Sequence, residues 1–277
     1  MRLKPPLKWP GGKHYLAARI VSLFPPHTHY VEPYAGGLSV LLAKDPEGVS
    51  EVVNDLDTRL TNFWRVLQCD VRFAEFCRAV EATPFSEVEW QRANCHYQCV
   101  EDFPESKITC VNCAARFFVD CRQSLAGRRD TFAPLSRTRT RRGMNEQASA
   151  WLTAVEGLPA VHERLKRVVV LNRDALEVLR QQDGPKTLFY LDPPYLHETR
   201  ATTSEYGAFE MGDPEHEALL MALGSLKGKA MLSGYRSRLY DEALRNPRWT
   251  RHDFEVANHA SGGDSKRRMT ECLWVNW

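Results

Sequence analysis

The sequence predicts an α/β fold: a doubly wound, mostly parallel sheet of seven strands with a helical and hairpin lobe inserted into it. Three observations lead there. Short apolar runs recur along the chain with helical patterns between them. The last two runs are joined by a short Gly-rich segment, as in an antiparallel pair. Between the second and third runs lie about a hundred residues, first helical and aromatic and then polar and Arg-rich, too long a stretch for a crossover.

The first strand, Tyr30-Val31, leads into Glu32-Pro33-Tyr34-Ala35-Gly36-Gly37 and a helix expected over 38–43. The second, Val52-Val53, stops at Asn54-Asp55. Val168–Leu171 resumes the sheet, so one domain is discontinuous, 1–62 with 165–277, around an inserted lobe at 63–164. Leu188–Leu191 and Ala230–Leu232 follow. Asp213-Pro214-Glu215 starts the helix between them with a cap, an early Pro and an early acid, and Leu219, Leu220, Leu223 and Leu226 form its apolar face. Phe254–Val256 and Cys272–Val275 close the sheet as a hairpin at one end.

With 277 residues, 43% hydrophobic and 26% charged, the chain suits a globular protein with one large core and a smaller lobe. A net charge of +2 names no partner, so a nucleic-acid footprint has to show as local clustering. Eight cysteines are scattered, and Met1–Pro6 carries no apolar h-region. The expectation is a cytoplasmic protein with reduced thiols, without signal peptide or membrane span. A monomer is compatible with the sequence, which specifies no oligomeric state. Cys95, Cys99, Cys110 and Cys113, with His96 and Cys121 nearby, approach structural zinc spacing. Buried free thiols are the better reading, because Cys110, Cys113, Ala114, Phe117 and Phe118 fit one helical face. No metal is expected.

Asp192-Pro193-Pro194-Tyr195 ends the apolar run Thr187–Leu191. Consecutive prolines lock φ and lack N–H groups, so the strand must stop in a rigid turn. There the Asp192 carboxylate and the Pro193 carbonyl are two acceptors for the two N–H donors of an exocyclic amino group. Tyr195 adds a flat face, and a base–aromatic stack contributes about 1–3 kcal/mol. An ordinary strand-ending turn is the plain alternative. In an open α/β sheet ligands gather at the carboxyl ends of strands, where Glu32, Asp55 and Asp192 would project. Gly36 and Gly37 would let a ligand approach the backbone. Asp55 suits the ribose hydroxyls of an adenosine-bearing cofactor, with helix capping as the alternative for Asn54-Asp55. Lys8-Trp9-Pro10-Gly11-Gly12-Lys13 is no Walker A loop, since Leu7 and His14 stand where Gly and Ser or Thr are required.

In this order the segments resemble the Dam-type, D12-class family of DNA adenine-N6 methyltransferases, which use S-adenosylmethionine on a class I, Rossmann-like methyltransferase fold. The resemblance rests on Lys8–Lys13, Val31–Gly37, Asn54-Asp55, Asn172–Leu179, Asp192–Tyr195 and Arg267–Trp274, and spans the sheet domain. It implies that Trp9, Lys13, Glu32, Pro33, Tyr34, Gly36, Gly37 and Asp55 bind the cofactor, with Asp174 near its adenine. It also implies that Asp192, Pro193, Pro194 and Tyr195 hold the target base, Asp192 being shared between cofactor and substrate. One departure is Leu38, where the family usually continues its glycines. A sulfonium methyl is already activated, so alignment and acceptors at the amino group suffice.

A base inside a duplex must be flipped out to reach such a site, so double-stranded DNA is the expected partner. From 122 to 142 the chain carries Arg122, Arg128, Arg129, Arg137, Arg139, Arg141 and Arg142 against the single acid Asp130. That pattern suggests a hairpin or loop that tracks phosphates and reads bases, against the alternative of a solvated charge run. Gln123 and Phe132 are candidates for base contact or wedging, Lys266, Arg267 and Arg268 for phosphate contact, and Tyr206 for closing over the base. The Arg-rich lobe differs from the hairpin of the GATC readers, so GATC is not implied as the target. Cytosine-N4 methylation and a non-catalytic nucleic-acid-binding module on the same fold are the competing readings.

Overall fold

The computed structural model describes residues 3–94, 109–200, 206–257 and 268–277. Strands β1 (His29–Glu32), β2 (Ser50–Asn54), β5 (Val168–Leu171), β6 (Thr187–Leu191), β7 (Lys229–Gly234), β8 (Thr250–Ala257) and β9 (Arg268–Val275) form one sheet in the order β5-β2-β1-β6-β7-β9-β8. Each apolar run identified in the sequence lies in one of them. β1 runs parallel to β2 and β6, and β6 parallel to β7. β9 is antiparallel to β8, as the Gly-rich link predicts, and antiparallel to β7 as well. A separate hairpin pairs β3 (Thr140–Arg141) with β4 (Met144–Asn145).

All five residues of β6 are buried, which a continuous apolar run gives when both faces of a central strand are covered. Strand order reverses at β1, with β2 on one side and β6 on the other. The segments leaving the carboxyl ends of β1 and β6 therefore start side by side, at the switch point where open α/β sheets take ligands.

The helices are α1 (Ala17–Ser22), α2 (Thr58–Gln68), α3 (Asp70–Glu81), α4 (Glu87–Asn94), α5 (Val111–Gln123), α6 (Glu146–Glu156), α7 (Leu158–Leu165), α8 (Ala175–Gln182), α9 (Asp213–Gly224) and α10 (Arg238–Ala243). Local chemistry sets several of their starts: Asp57 caps α2, Asn145 caps α6, Asp174 caps α8 and Ser237 caps α10. α9 begins at Asp213 with Gly212 as its cap residue, whose N–H donates to Glu215 at 3.0 Å.

The chain folds as two compact units. The first comprises Met1–Leu23, Gly36–Asp45 and Asp57–Asn172, and contains the span proposed as the insert. Its core is aromatic: Phe63 packs edge-on to Trp64 at 4.7 Å and stacks with Phe118 at 5.9 Å, and Phe118 meets Trp151 at 5.2 Å. Cys113, Ala114, Phe117, Phe118 and Cys121 are buried along α5, and the Cys110 thiol accepts the Cys113 N–H at the helix start. The second unit comprises Phe24–Ala35, Pro46–Leu56 and Arg173–Trp277, with Tyr30, Val31, Val53, Leu188, Phe189 and Leu273 in its core.

The helix expected over 38–43 is instead a run of hydrogen-bonded turns. Leu38 has φ +55°, a left-handed conformation that disfavours helix initiation, although Leu42 N–H still reaches Leu38 O at 3.1 Å. Among the described residues no helix is long and apolar enough to cross a membrane, and no group of three or more His, Cys, Asp and Glu could hold a metal. Cys95, His96 and Cys99 lie outside the described residues.

Candidate active site

In the second unit, Asp192–Tyr195 turns the chain away from the end of β6. Pro193 is buried, while Asp192, Pro194 and Tyr195 are partly exposed. The Tyr195 hydroxyl lies 3.2 Å from Asp192 Oδ1 and also bonds Glu271 Oε1 on β9. Burial, reinforced by the charges of Asp192 and Glu271, raises the pKa of this phenol well above its usual range, so it keeps its proton. The ring meets Tyr235 edge-on at 4.9 Å. Tyr195 is thus a partly exposed residue anchored by its hydroxyl.

Glu271, only 3% exposed, was not singled out in the sequence. It lies within the Arg267–Trp274 segment of the resemblance, and its own signal is an acid beside the apolar run Cys272–Val275, where a carboxylate is costly to bury without partners.

The ends of β1 and β2 and the start of α8 are tied by Asn54, which the sequence marks only as part of the Asn54-Asp55 pair. Asn54, 1% exposed, donates from Nδ2 to Pro33 O at 3.0 Å and Arg173 O at 2.9 Å, and its Oδ1 accepts the Arg173 N–H at 2.9 Å. Its own carbonyl accepts the Ala35 N–H at 2.8 Å. These bonds place Tyr34, Asp55 and Asp174 as one group: burial raises the Tyr34 pKa, and the charges of Asp174 and Asp55 raise it further. Burial also raises Tyr240 on α10, with Tyr34 and Asp192 adding to the shift.

Asp55 does not cap α2; that role belongs to Asp57, leaving Asp55 half-exposed beside Leu56, which is 55% exposed. Asp174 is a cap, accepting Leu176 N–H at 2.9 Å and Glu177 N–H at 3.1 Å. Glu32 is 2% exposed and accepts the Tyr30 hydroxyl at 2.6 Å, so its carboxylate points into the core.

In the first unit, Lys13 is buried and its Nζ donates to Gly11 O at 2.7 Å. The approach that Gly36 and Gly37 permit is taken by Trp9. Gly36 has φ +46°, and a Cβ there would lie 2.8 Å from Trp9 Nε1; one on Gly37 would lie 3.0 Å from Trp9 Cβ. Leu38, the departure from the family's glycines, adopts the left-handed backbone that glycine favours, with its side chain fully buried.

The Arg-rich segment of this unit divides in two. Gln123 is fully buried, accepting Ser86 N–H at 2.9 Å and donating to Pro84 O at 3.0 Å, so it braces the lobe instead of reading bases. Arg122 points inward as well, donating to Ala150 O at 2.9 Å, and burial lowers its pKa to about 10. Phe132 is partly exposed and packs on Phe85 at 5.1 Å. Arg129 lays its guanidinium 5.7 Å from the Trp9 ring.

Arg128, Arg137, Arg139, Arg141 and Arg142 are exposed. Arg142 and Gly143, with φ +56° and +74°, form the tight turn between β3 and β4. Arg142 pairs with Glu156 at 2.9 Å and Arg139 with Glu146 at 3.8 Å. Lys266, Arg267 and the Arg268 side chain lie outside the described residues. Tyr206 is half-exposed, under the Arg200 guanidinium at 5.5 Å.

A family model described as D12 class N6 adenine-specific DNA methyltransferase matches residues 9–256. Type II methyltransferase M.MjaIII of Methanocaldococcus jannaschii is 27% identical over 234 residues, covering 78% of this chain and 77% of that relative. Type II methyltransferase M1.LlaDCHI of Lactococcus lactis subsp. cremoris is 24% identical over 296 residues, covering 100% of this chain and 96% of that relative.

Proposed function

The chain belongs to the D12 class of N6 adenine-specific DNA methyltransferases, and from that premise we propose that Asp192–Tyr195 receives the adenine it methylates. The observation that carries the assignment is the position of Asp192, at the end of a fully buried central strand beside the reversal in strand order. Its carboxylate and the Pro193 carbonyl would accept the two amino hydrogens, and the Tyr195 ring would face the base. Acceptors on the amino side favour a more tetrahedral nitrogen and stabilise the positive charge that nitrogen acquires.

S-adenosylmethionine would supply a methyl carbon already activated on a sulfonium. The residues fit its nucleoside: Asp55 is a half-exposed acid suited to ribose hydroxyls, and the adjacent Leu56 is an exposed apolar face suited to adenine. Tyr34, Pro33 and Asp174 stand with them through Asn54. Trp9, Lys13, Gly36 and Gly37 enter as cofactor residues on the strength of the family motif. Glu32 would act from the core, by fixing the end of β1.

We take double-stranded DNA as the polymer, with the target base flipped out at a cost of a few kcal/mol. Residues 63–164 serve as the target-recognition insert in this reading. Arg128, Arg137, Arg139, Arg141 and Arg142 are its phosphate and base contacts, because they are the exposed members of the arginine run. A site-specific enzyme of a restriction–modification system, working as a monomer in the cytoplasm, is the setting we infer.

The test is mass spectrometry of nucleosides from unmethylated bacterial DNA incubated with S-adenosylmethionine and either the wild type or Asp192→Ala. N6-methyladenine from the wild type alone is expected, the variant losing at least about 10³-fold in rate with its melting temperature kept. N4-methylcytosine would overturn the choice of base, and an active Asp192→Ala protein would sink the site.

A further inference from the structure

We propose that Glu271 is a positioning residue for methyl transfer, a second buried carboxylate that acts on the amino group through the Tyr195 hydroxyl. The proposal rests on the assignment of Asp192 to that amino group.

The reaction moves charge from sulfur to nitrogen. As the amino nitrogen forms its bond to carbon with its lone pair, the carbon–sulfur bond breaks and leaves its pair on sulfur. Positive charge thereby moves onto the nitrogen. The N–H bond then returns its pair to nitrogen and gives its proton to Asp192. No net charge is created, so an anion assists only if it lies nearer the nitrogen than the sulfur. Asp192 is one such anion. Glu271 meets the same phenol that bonds Asp192 Oδ1 at 3.2 Å, which fixes it on the amino side.

A phenol between two carboxylates carries a single proton to share. While Asp192 accepts from the base, Tyr195 donates to Glu271, and its oxygen lone pairs remain available to Asp192. Once Asp192 takes the proton from nitrogen, it can donate to the Tyr195 oxygen while Tyr195 still donates to Glu271. In the first state the base satisfies Asp192 and Glu271 takes the phenol proton; in the second the Asp192–Tyr195 bond forms as well, and nothing has to rotate. A Glu271 without charge would hold the phenol as well in the first state but would stabilise neither the developing cation nor the protonated Asp192.

Burial makes the residue informative. Glu271 is 3% exposed, and Cys272, Leu273, Trp274 and Val275 beyond it are equally enclosed. Packing alone would be served by an apolar side chain, and anchoring Tyr195 alone by an amide. A buried carboxylate costs more than either unless its charge is used. Charged or titratable groups around it among the described residues include Tyr190 on β6, the neighbouring thiol of Cys272, and Asp253 and Arg251 on β8, which act on that thiol.

Glu271→Gln preserves shape and the acceptor for Tyr195 while removing the charge. We expect it to melt near the wild-type temperature and to bind S-adenosylmethionine and DNA with unchanged affinity. Its single-turnover methyl transfer to unmethylated bacterial DNA should be about 10- to 100-fold slower. Glu271→Asp, which keeps the charge, should recover part of that loss. A full-rate Glu271→Gln protein overturns the proposal, and so does a loss matched by equal losses in cofactor and DNA affinity. If Glu271→Gln fails to fold, Tyr195→Phe decides, since it keeps the ring and removes the hydroxyl that joins Glu271 to Asp192: a slower transfer with affinities kept supports the role, and a full rate refutes it. Asp192→Ala run alongside separates the two claims. An active Asp192→Ala sinks the site and this role together, whereas an inactive one beside a full-rate Glu271→Gln sinks only the role of Glu271.

Discussion

Replacing Asn54 with Asp tests whether one buried amide assembles the cofactor side of the site. The two side chains have the same shape, but the carboxylate cannot donate. The bonds to Pro33 O at 3.0 Å and Arg173 O at 2.9 Å are lost, while the Arg173 N–H can still reach an oxygen at about the present 2.9 Å. Two carbonyls are left without a donor at a position only 1% exposed, each costing about 1–3 kcal/mol, and the new carboxylate is enclosed beside them. A net loss of at least about 3 kcal/mol follows, and in a protein of this size that lowers the melting temperature by about 6–12 °C. Tyr34, Asp55 and Asp174 lose their common tie, so affinity for S-adenosylmethionine should fall at least about tenfold, or ~1.4 kcal/mol. Thermal melting and equilibrium binding read the two effects separately. An Asn54→Asp protein that melts within about 2 °C of the wild type and binds the cofactor as well would refute the argument.

Gly36→Ala places a Cβ 2.8 Å from Trp9 Nε1 at a residue with φ +46°; backbone strain of about 1–2 kcal/mol adds to the clash. A lower melting temperature and shifted tryptophan emission are expected, and an unchanged spectrum would mean that the indole does not fill that space. For Arg139→Ala combined with Arg141→Ala, the slope of log K for DNA against log salt should shrink by about 2, at roughly 0.9 per phosphate, with cofactor affinity intact. An unchanged slope would move the DNA surface elsewhere. His216 is fully buried, bonds the Tyr240 hydroxyl at 2.9 Å, and has its pKa pushed down to about 4, chiefly by burial. Its folded value lies below the ordinary imidazole value of about 6.5, so the unfolded chain binds the extra proton first and stability drains away as pH falls from about 6.5 to about 4. The loss should reach at most ~3 kcal/mol. Stability measured across that window should flatten in His216→Asn, and an equal slope in both proteins would place the acid sensitivity on another group.

Each apolar run named a strand because in a buried parallel sheet local composition and tertiary environment agree, as in Thr187–Leu191. Asp192 was legible for a related reason, since consecutive prolines dictate where that strand stops. What escaped the sequence was set by contacts between distant segments. The role of Asn54 lies in bonds to residue 173, 119 positions away. The glycine pair announced that something approaches the backbone, and only the fold shows that Trp9 does so. Arg122 reads as part of a basic run, and Gln123 beside it as a base contact, because composition carries no direction. The loop after α5 folds back, with Ala133 N–H on Gln123 O at 2.8 Å, and encloses them. Leu38 fits a helical pattern by composition, yet its φ of +55° ends any helix there.

The choice of partner for the acids follows from the charge the reaction moves. A carboxylate meant to sit beside a nitrogen that becomes positive must be held in place without being neutralised. An arginine would hold it firmly, but its own positive charge would oppose the one arriving on nitrogen at short range in a site of low dielectric. A phenol donates a hydrogen bond and brings no charge. Tyr195 has one such proton to share between Asp192 and Glu271, Tyr34 lies within the field of Asp55 and Asp174, and Tyr240 within that of Asp192. Each phenol has its pKa raised, so it stays a donor over the whole working pH range. Exchanging Tyr195 for a cationic side chain would keep the anchor and lose the field, which is why acids bonded by tyrosines suit this chemistry better than salt bridges of equal strength.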